Sequence, residues 1–256
     1  MATFDDAGSR FQFGRTHWTR VLEAGRADND AGAQARNDLL VRYHDAVFRY
    51  LLAKLGDAEA AGELFSRFAE RVVELHPFLQ RADPEKGRFR DYLRTVLSRM
   101  VIDYHRERKR DHRRRNPFEP EGLAQPEPDA ADPFRSLWAE ELMQHAWNAL
   151  REAEEKDGRP YYTLLLYKAK HPETRSEAMA RHFADEWGKP LTAPSVRQLL
   201  HRGQEKLSDL LVEEIARSLR KSPAESVSAD AIADELADLG LLDKHRRDAV
   251  ERYRDR

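Results

Sequence analysis

The chain has 256 residues, of which 35% are charged and 40% apolar, with a formal net charge of −2 and no cysteine. The missing cysteines exclude disulfides and thiolate metal centres, and no apolar run approaches the roughly eighteen residues that a membrane-spanning helix needs. The acidic start, MATFDDAGSRFQF, carries no apolar signal core, so we expect a cytoplasmic protein with no membrane attachment.

In chain order, residues 1–32 should hold a short helix over 16–24 and a polar loop over 25–32. Residues 33–115 read as a helical domain. Its first helix is predicted over 34–55, with Leu39, Leu40, Tyr43, Val47, Tyr50 and Leu51 as an apolar stripe and Gly56-Asp57 as the stop. A second helix is predicted over 58–74 with Leu64, Phe65, Phe68 and Val72 inward; His76-Pro77 breaks it.

A third helix of this part follows from 89 to 115, amphipathic through Phe89, Leu93, Val96, Leu97, Met100 and Tyr104. Its other side carries Arg90, Arg94, His105 and Arg108. Between Lys86 and Arg115 there are twelve Lys/Arg against four Asp/Glu, a local charge of +8, so the remainder of the chain sums to −10. Cations gathered this densely point to a polyanion, most simply nucleic acid.

Residues 116–134 form a linker with five prolines, five acids and no Lys or Arg. At about 3.1 Å per residue a proline-stiffened strand of this length reaches roughly 50–60 Å. It is either a solvated spacer or an acidic strand that folds back on the neighbouring basic tail. Residues 135–217 read as a second helical domain, with helices over 135–156 (Leu137, Trp138, Leu142, Met143, Ala146, Trp147, Leu150) and 161–170. A helix-turn-helix candidate follows. Thr174 and Glu177 fit a capping box, Met179, Phe183 and Trp187 recur every four residues, and Gly188 stops the helix. Thr192 with Pro194 starts the next helix, whose inward side is Val196, Leu199, Leu200, Leu207, Leu210 and Leu211. Residues 218–256 form an extension with a turn at Ser222-Pro223, a helix over 229–239 striped by Ile232, Leu236 and Leu239, and an end of mixed charge. The fold class expected is therefore all-α: two small helical domains joined by a Pro-rich acidic linker.

Three segments, in order, resemble the extracytoplasmic-function type of sigma factor in its planctomycete-like form. FGRTHWTRVLEAG is similar to the family's N-terminal motif. Phe89-Arg90-Asp91-Tyr92-Leu93, Val101-Ile102-Asp103 and the basic run from Arg106 resemble its second region. VRQLLHRGQEKL resembles its recognition helix, and the likeness spans roughly residues 11–217. The resemblance implies a sigma factor that binds core RNA polymerase and promoter DNA, opens the start-proximal element and leaves the chemistry to the polymerase. It leaves room for an anti-sigma or other regulator. It would put Arg88, Arg90, Tyr92, Arg94, Arg106 and Arg108 on the start-proximal element, with Tyr92 the better stacking platform because Phe89 and Tyr104 lie on the apolar stripe. It would put Ser195, Arg197, Gln198, His201 and Arg202 on the upstream element, where Arg suits guanine and Gln adenine. Asp57, Glu59, Glu63 and Arg67 would face the polymerase. The pattern departs from the family at Ala60, Ala61 and Glu63. Gly62 weakens a helix interior, and the DEWGKPLTAP connection is longer than the usual tight turn.

Enzymatic activity is not expected. Glu141 and His145 stand four apart without a second pair, and Glu140-Glu141 and Glu154-Glu155 point different ways on a helix. No HExxH, nucleophile elbow or phosphate loop occurs, so no metal and no cofactor is expected. Two other readings stay open: a stand-alone helix-turn-helix DNA-binding transcriptional regulator, and a helical protein-interaction module whose basic segment binds an acidic partner.

Overall fold

Helix α1 (His17–Arg26) buries Trp18, Val21 and Ala24, one side of three successive turns. A computed structural model describes residues 17–26, 29–74, 77–115, 133–222 and 224–256; it is all-α, with no strand among these residues. Most of the proposed linker and the Pro223 turn lie outside them. The end of α1 is crossed closely by the short helix α4 (Pro77–Gln80): a Cβ on Gly25 would stand 2.7 Å from the Leu79 carbonyl oxygen. Buried Arg36 donates a hydrogen bond to the Ala24 carbonyl at 3.3 Å, fastening α1 to the next helix.

That helix, α2 (Asp30–Leu55), starts four residues before the predicted position because Asn29 caps it, its side chain accepting from the Gly32 amide. It ends at Gly56, which adopts the left-handed conformation (φ 67°), and the adjoining Asp57 caps α3 (Ala58–Val73) by accepting from the Glu59 amide. Two residues thus stop one helix and start the next, which holds α2 and α3 side by side. A single 3₁₀ turn over Pro84–Lys86, capped by Asp83, precedes α5 (Phe89–Arg115). Phe89, Leu93, Leu97, Met100 and Tyr104 of α5 are buried as the stripe predicts; Val101, outside that stripe, is buried as well.

Helix α6 (Pro133–Asp157) begins inside the segment assigned above to the linker, and Phe134 is a core residue that meets Tyr50 edge to face at 5.3 Å. Proline at the first helical position is as favourable as in a linker, since that amide has no intrahelical partner, and so its presence did not separate the two. Helices α7 (Tyr161–Lys170), α8 (Ser176–Trp187) and α9 (Ala193–Leu219) follow. The expected capping box does not form: Arg175 is the N-cap of α8 and makes no side-chain cap bond, while Glu177 turns toward Arg197. Thr192 does cap α9, accepting from the Ser195 amide at 3.3 Å. The extension forms two helices, α10 (Ala229–Asp238) and α11 (Lys244–Arg254), capped by Ser228 and Asp243. The second stood in the sequence only as mixed charge, because just Ala249 and Val250 of it are buried.

Two apolar cores result. A small one joins Leu164 of α7, Met179, Ala180 and Phe183 of α8, and Val196 of α9. A large one runs through α1 to α6 and continues into Leu211, Val212 and Ile215 of α9, Ile232, Leu236 and Leu239 of the extension, and Ala249 and Val250. At 27 residues α9 is about 40 Å long, so its first half lies on one core and its second half on the other. The boundaries read from composition, at 134/135 and 217/218, therefore do not coincide with the division of apolar packing. Burying Ile232, Leu236 and Leu239 stabilises the extension by about 2 kcal/mol each, so it is an integral part of the molecule.

Two glycines give opposite expectations. In Gly25→Ala the new methyl meets backbone rather than a yielding side chain, and urea unfolding should show a loss of about 1–3 kcal/mol. Gly62, inside α3, has nothing within 4 Å of the Cβ position, so Gly62→Ala should gain about 1 kcal/mol.

Candidate nucleic-acid interface

The start of α5 is set by packing. Phe89 lies between Trp18 (ring centroids 5.8 Å, edge on) and Tyr43 (5.6 Å), and Tyr43 stacks on Trp138 at 5.1 Å with 13° between planes. With Phe89 inward, Arg88 and Arg90 turn toward α10. Arg90, expected at the surface, is 6% exposed: Nη1 lies 3.0 Å from Glu235 Oε1 and Nη2 donates to Asp238. Arg88 pairs with Glu235 and donates to Asp238 at 3.2 Å, and Arg135 at the start of α6 reaches Asp238 at 3.2 Å. Three guanidinium groups, from the residue ahead of α5, its first turn and the start of α6, thus converge on two carboxylates of the extension. The hydrogen bond from Arg90 holds the Asp238 carboxyl below the usual carboxylate range, against a smaller opposing effect of desolvation. Glu235 goes the other way: burial raises its pKa, and Arg90 and Arg88 offset that only in part. The expected outward placement fails for Arg90 because a long side chain beside an apolar stripe is drawn under whatever acidic helix packs there.

Farther along α5 the side chains reach solvent. Tyr92 is half-buried against the large core, and burial raises its phenol pKa, so part of one ring face is already covered. Arg94 is exposed. Arg106 is 75% exposed and 3.6 Å from Asp103; Arg108 is exposed, with its guanidinium 5.7 Å from the centroid of the Tyr104 ring. Between α3 and this end of α5 lies an open groove of about 800 Å³ lined by Arg71, Arg106, Lys109, Arg110 and Arg114, with Asp103 and Glu107 the only acids among the lining residues, a net charge of +3. Arg71 had no place in the sequence reading; its charge belongs to the groove only because α3 and α5 pack together. Low-dielectric walls on both sides of such a groove strengthen its field.

On α9, Arg197, Gln198, His201 and Arg202 are exposed together, a spacing that puts them on one side of a helix whose opposite side holds Val196 and Gly203 in the interior. Arg197 is 58% exposed, with only a 3.5 Å contact to Glu177, and His201 is 62% exposed. Ser195 differs from the rest: its hydroxyl lies 2.9 Å from that of Thr192 in the helix cap and is half-buried. The acidic positions on α3 are also divided. Asp57 is engaged as a cap, Glu59 is exposed, and Arg67 bridges Glu63 at 2.8 Å and Glu107 of α5 at 2.7 Å. Arg67 therefore ties α3 to α5, and its hydrogen bond keeps the Glu107 carboxyl low.

His145 Nε2 lies 3.0 Å from Glu141 Oε1 along one helix, and among the described residues no group of three His, Asp or Glu side chains is placed to hold a metal ion. No described helix is long and apolar enough to cross a membrane. The chain matches no protein-family model, no curated protein and no solved structure at a significant level.

If the α3–α5 groove receives phosphates, each lost contact lowers the slope of log affinity against log salt by about 0.9 on duplex DNA. The variant Arg106→Ala/Arg110→Ala/Arg114→Ala should flatten that slope by up to about 3. Its melting temperature should stay near that of the parent, because these side chains line an open groove.

Proposed function

We propose that the protein is a sigma factor of the extracytoplasmic-function type, which joins core RNA polymerase, recognises two promoter elements and helps to separate the strands of the start-proximal one. In this reading α2–α5 form the unit that engages the start-proximal element. Helices α8 and α9 form the helix-turn-helix that reads the upstream element. The observation that carries the proposal is the pairing, in one chain, of a cationic groove at the end of α5 with the exposed Arg197, Gln198, His201 and Arg202 on α9. A groove of positive charge suits phosphates at any sequence, and a helix side rich in Arg, Gln and His suits base edges in a major groove. Promoter opening needs both, whereas a stand-alone regulator needs only the second. The order of sequence motifs adds the polymerase as partner, with Glu59 and the Glu63–Arg67 pair on the exposed side of α3.

The reading is tested by adding purified protein to core polymerase and a supercoiled genomic library. Promoter-dependent transcripts are expected. Retardation of duplex DNA without polymerase association would replace the proposal with the stand-alone regulator, and no nucleic-acid binding at low salt would replace it with a protein-interaction module. Arg197→Ala should reduce discrimination at the upstream element by about 1–3 kcal/mol while leaving polymerase binding intact; equal loss of both would make α9 a structural helix only.

A further inference from the structure

We propose that α10 is an internal mimic of the phosphate backbone: Glu235 and Asp238 occupy Arg88 and Arg90 in the free protein, and a nucleic-acid strand competes for the same guanidinium groups. The inference rests on the nucleic-acid reading above and concerns how that site is regulated. Three observations carry it. First, Arg88, just ahead of α5, and Arg90, in its first turn, both point their guanidinium groups at the carboxylates of α10. Second, the two carboxylates stand one helical turn apart, at 235 and 238, a spacing that presents two anions to two neighbouring guanidinium groups as successive phosphates do. Third, the ion pairing is imperfect: Arg90 Nη1 and Glu235 Oε2 are buried, and neither makes a well-directed hydrogen bond. Charges paired without good hydrogen-bond geometry hold each other less firmly, which lowers the cost of exchanging one partner for another anion.

The rest of the extension shows how the cover is carried. Helix α10 packs on α9 and α11, and α11 is fastened to α9 by Arg252, whose guanidinium donates to Asp209 at 2.6 and 3.0 Å. Toward α5 the polar contact of α10 is this charge cluster, with Lys221 and Glu85 adding a second bridge at 2.9 Å nearby. The carboxylates are therefore attached to the helix that would read the upstream element, while Arg88 and Arg90 stand at the start of the helix that would engage the start-proximal one. Release of the cluster uncovers Arg88 and Arg90.

The test uses the full chain, a fluorescent single-stranded oligonucleotide and a second acid on the same helix as control. Asp238 is a third exposed, so Asp238→Asn should fold; Asp230, paired only with Arg254 and 85% exposed, makes the same change of charge in Asp230→Asn. Anisotropy titrations should show Asp238→Asn binding about fivefold tighter than the parent, the scale of one partly exposed ion pair. Its salt slope should be steeper, because two more cations reach phosphate. Asp230→Asn should change affinity less than twofold. Hydrogen exchange on the unmodified protein is the second measurement: adding the oligonucleotide should speed exchange of the 229–238 amides. Equal gains in both variants, or unchanged affinity in Asp238→Asn together with unchanged or slower exchange in α10, overturn the mimic while leaving nucleic-acid binding by the parent in place. No binding by parent or variants overturns the nucleic-acid reading and the mimic with it.

Discussion

The aromatic junction of Trp18, Tyr43, Phe89 and Trp138 is the constraint on which the rest of the structure depends. It brings α1, α2, α5 and α6 to one point through one edge-on, one tilted and one stacked contact. Such rings bury large areas and favour these geometries over a face-to-face sandwich. A helix is stiff, so fixing Phe89 also fixes the direction of α5 for the about 40 Å that follow. Arg88 and Arg90 beside the junction consequently fall under α10, while the far end projects its cations beside α3.

Charge in this molecule takes three forms that its net value of −2 conceals. Buried pairs set register: Arg42 of α2 meets Glu214 of α9, as Arg90 meets Glu235, and each links segments more than a hundred residues apart. Desolvation cancels much of the attraction in such pairs, so their main effect is to penalise any packing that leaves one partner alone. Half-exposed bridges such as Arg67 to Glu63 and Glu107 brace neighbouring helices. Exposed cations at the end of α5, which outnumber the acids of their groove, and those on one side of α9 account for the proposed interface. One residue type, arginine, thus serves as internal connector, brace and surface contact according to what packs beside it.

Helix identity was largely legible in the sequence, and for a local reason. Apolar periodicity marked α2, α3, α5, α6 and α9 within a few residues, and Thr192, Gly56 and Gly188 act where their side-chain chemistry suggests. The errors arose where one local signal fits two structures. Proline 133 suits a linker and a first helical turn alike; Thr174 and Glu177 match a capping box that the chain does not form; α11 has too short an apolar side to stand out among its charges. In the candidate site, the exposed side of α9 was readable from its spacing. Arg71 was not, because it shares no helix with the groove's other cations. Glu235 was not readable either, because an acid beside the stripe of Ile232, Leu236 and Leu239 looks the same whether it is solvated or paired in the interior.

By itself the sequence determined an all-helical chain, the apolar side of each principal helix and the concentration of positive charge after residue 85, because each follows from residues within a few turns of one another. Tertiary structure alone decided that two cores share α9, that Arg71 joins the cationic groove, and that Arg88 and Arg90 lie beneath Glu235 and Asp238. Those outcomes join segments as much as 150 residues apart, and no local periodicity records which acid a buried arginine will meet.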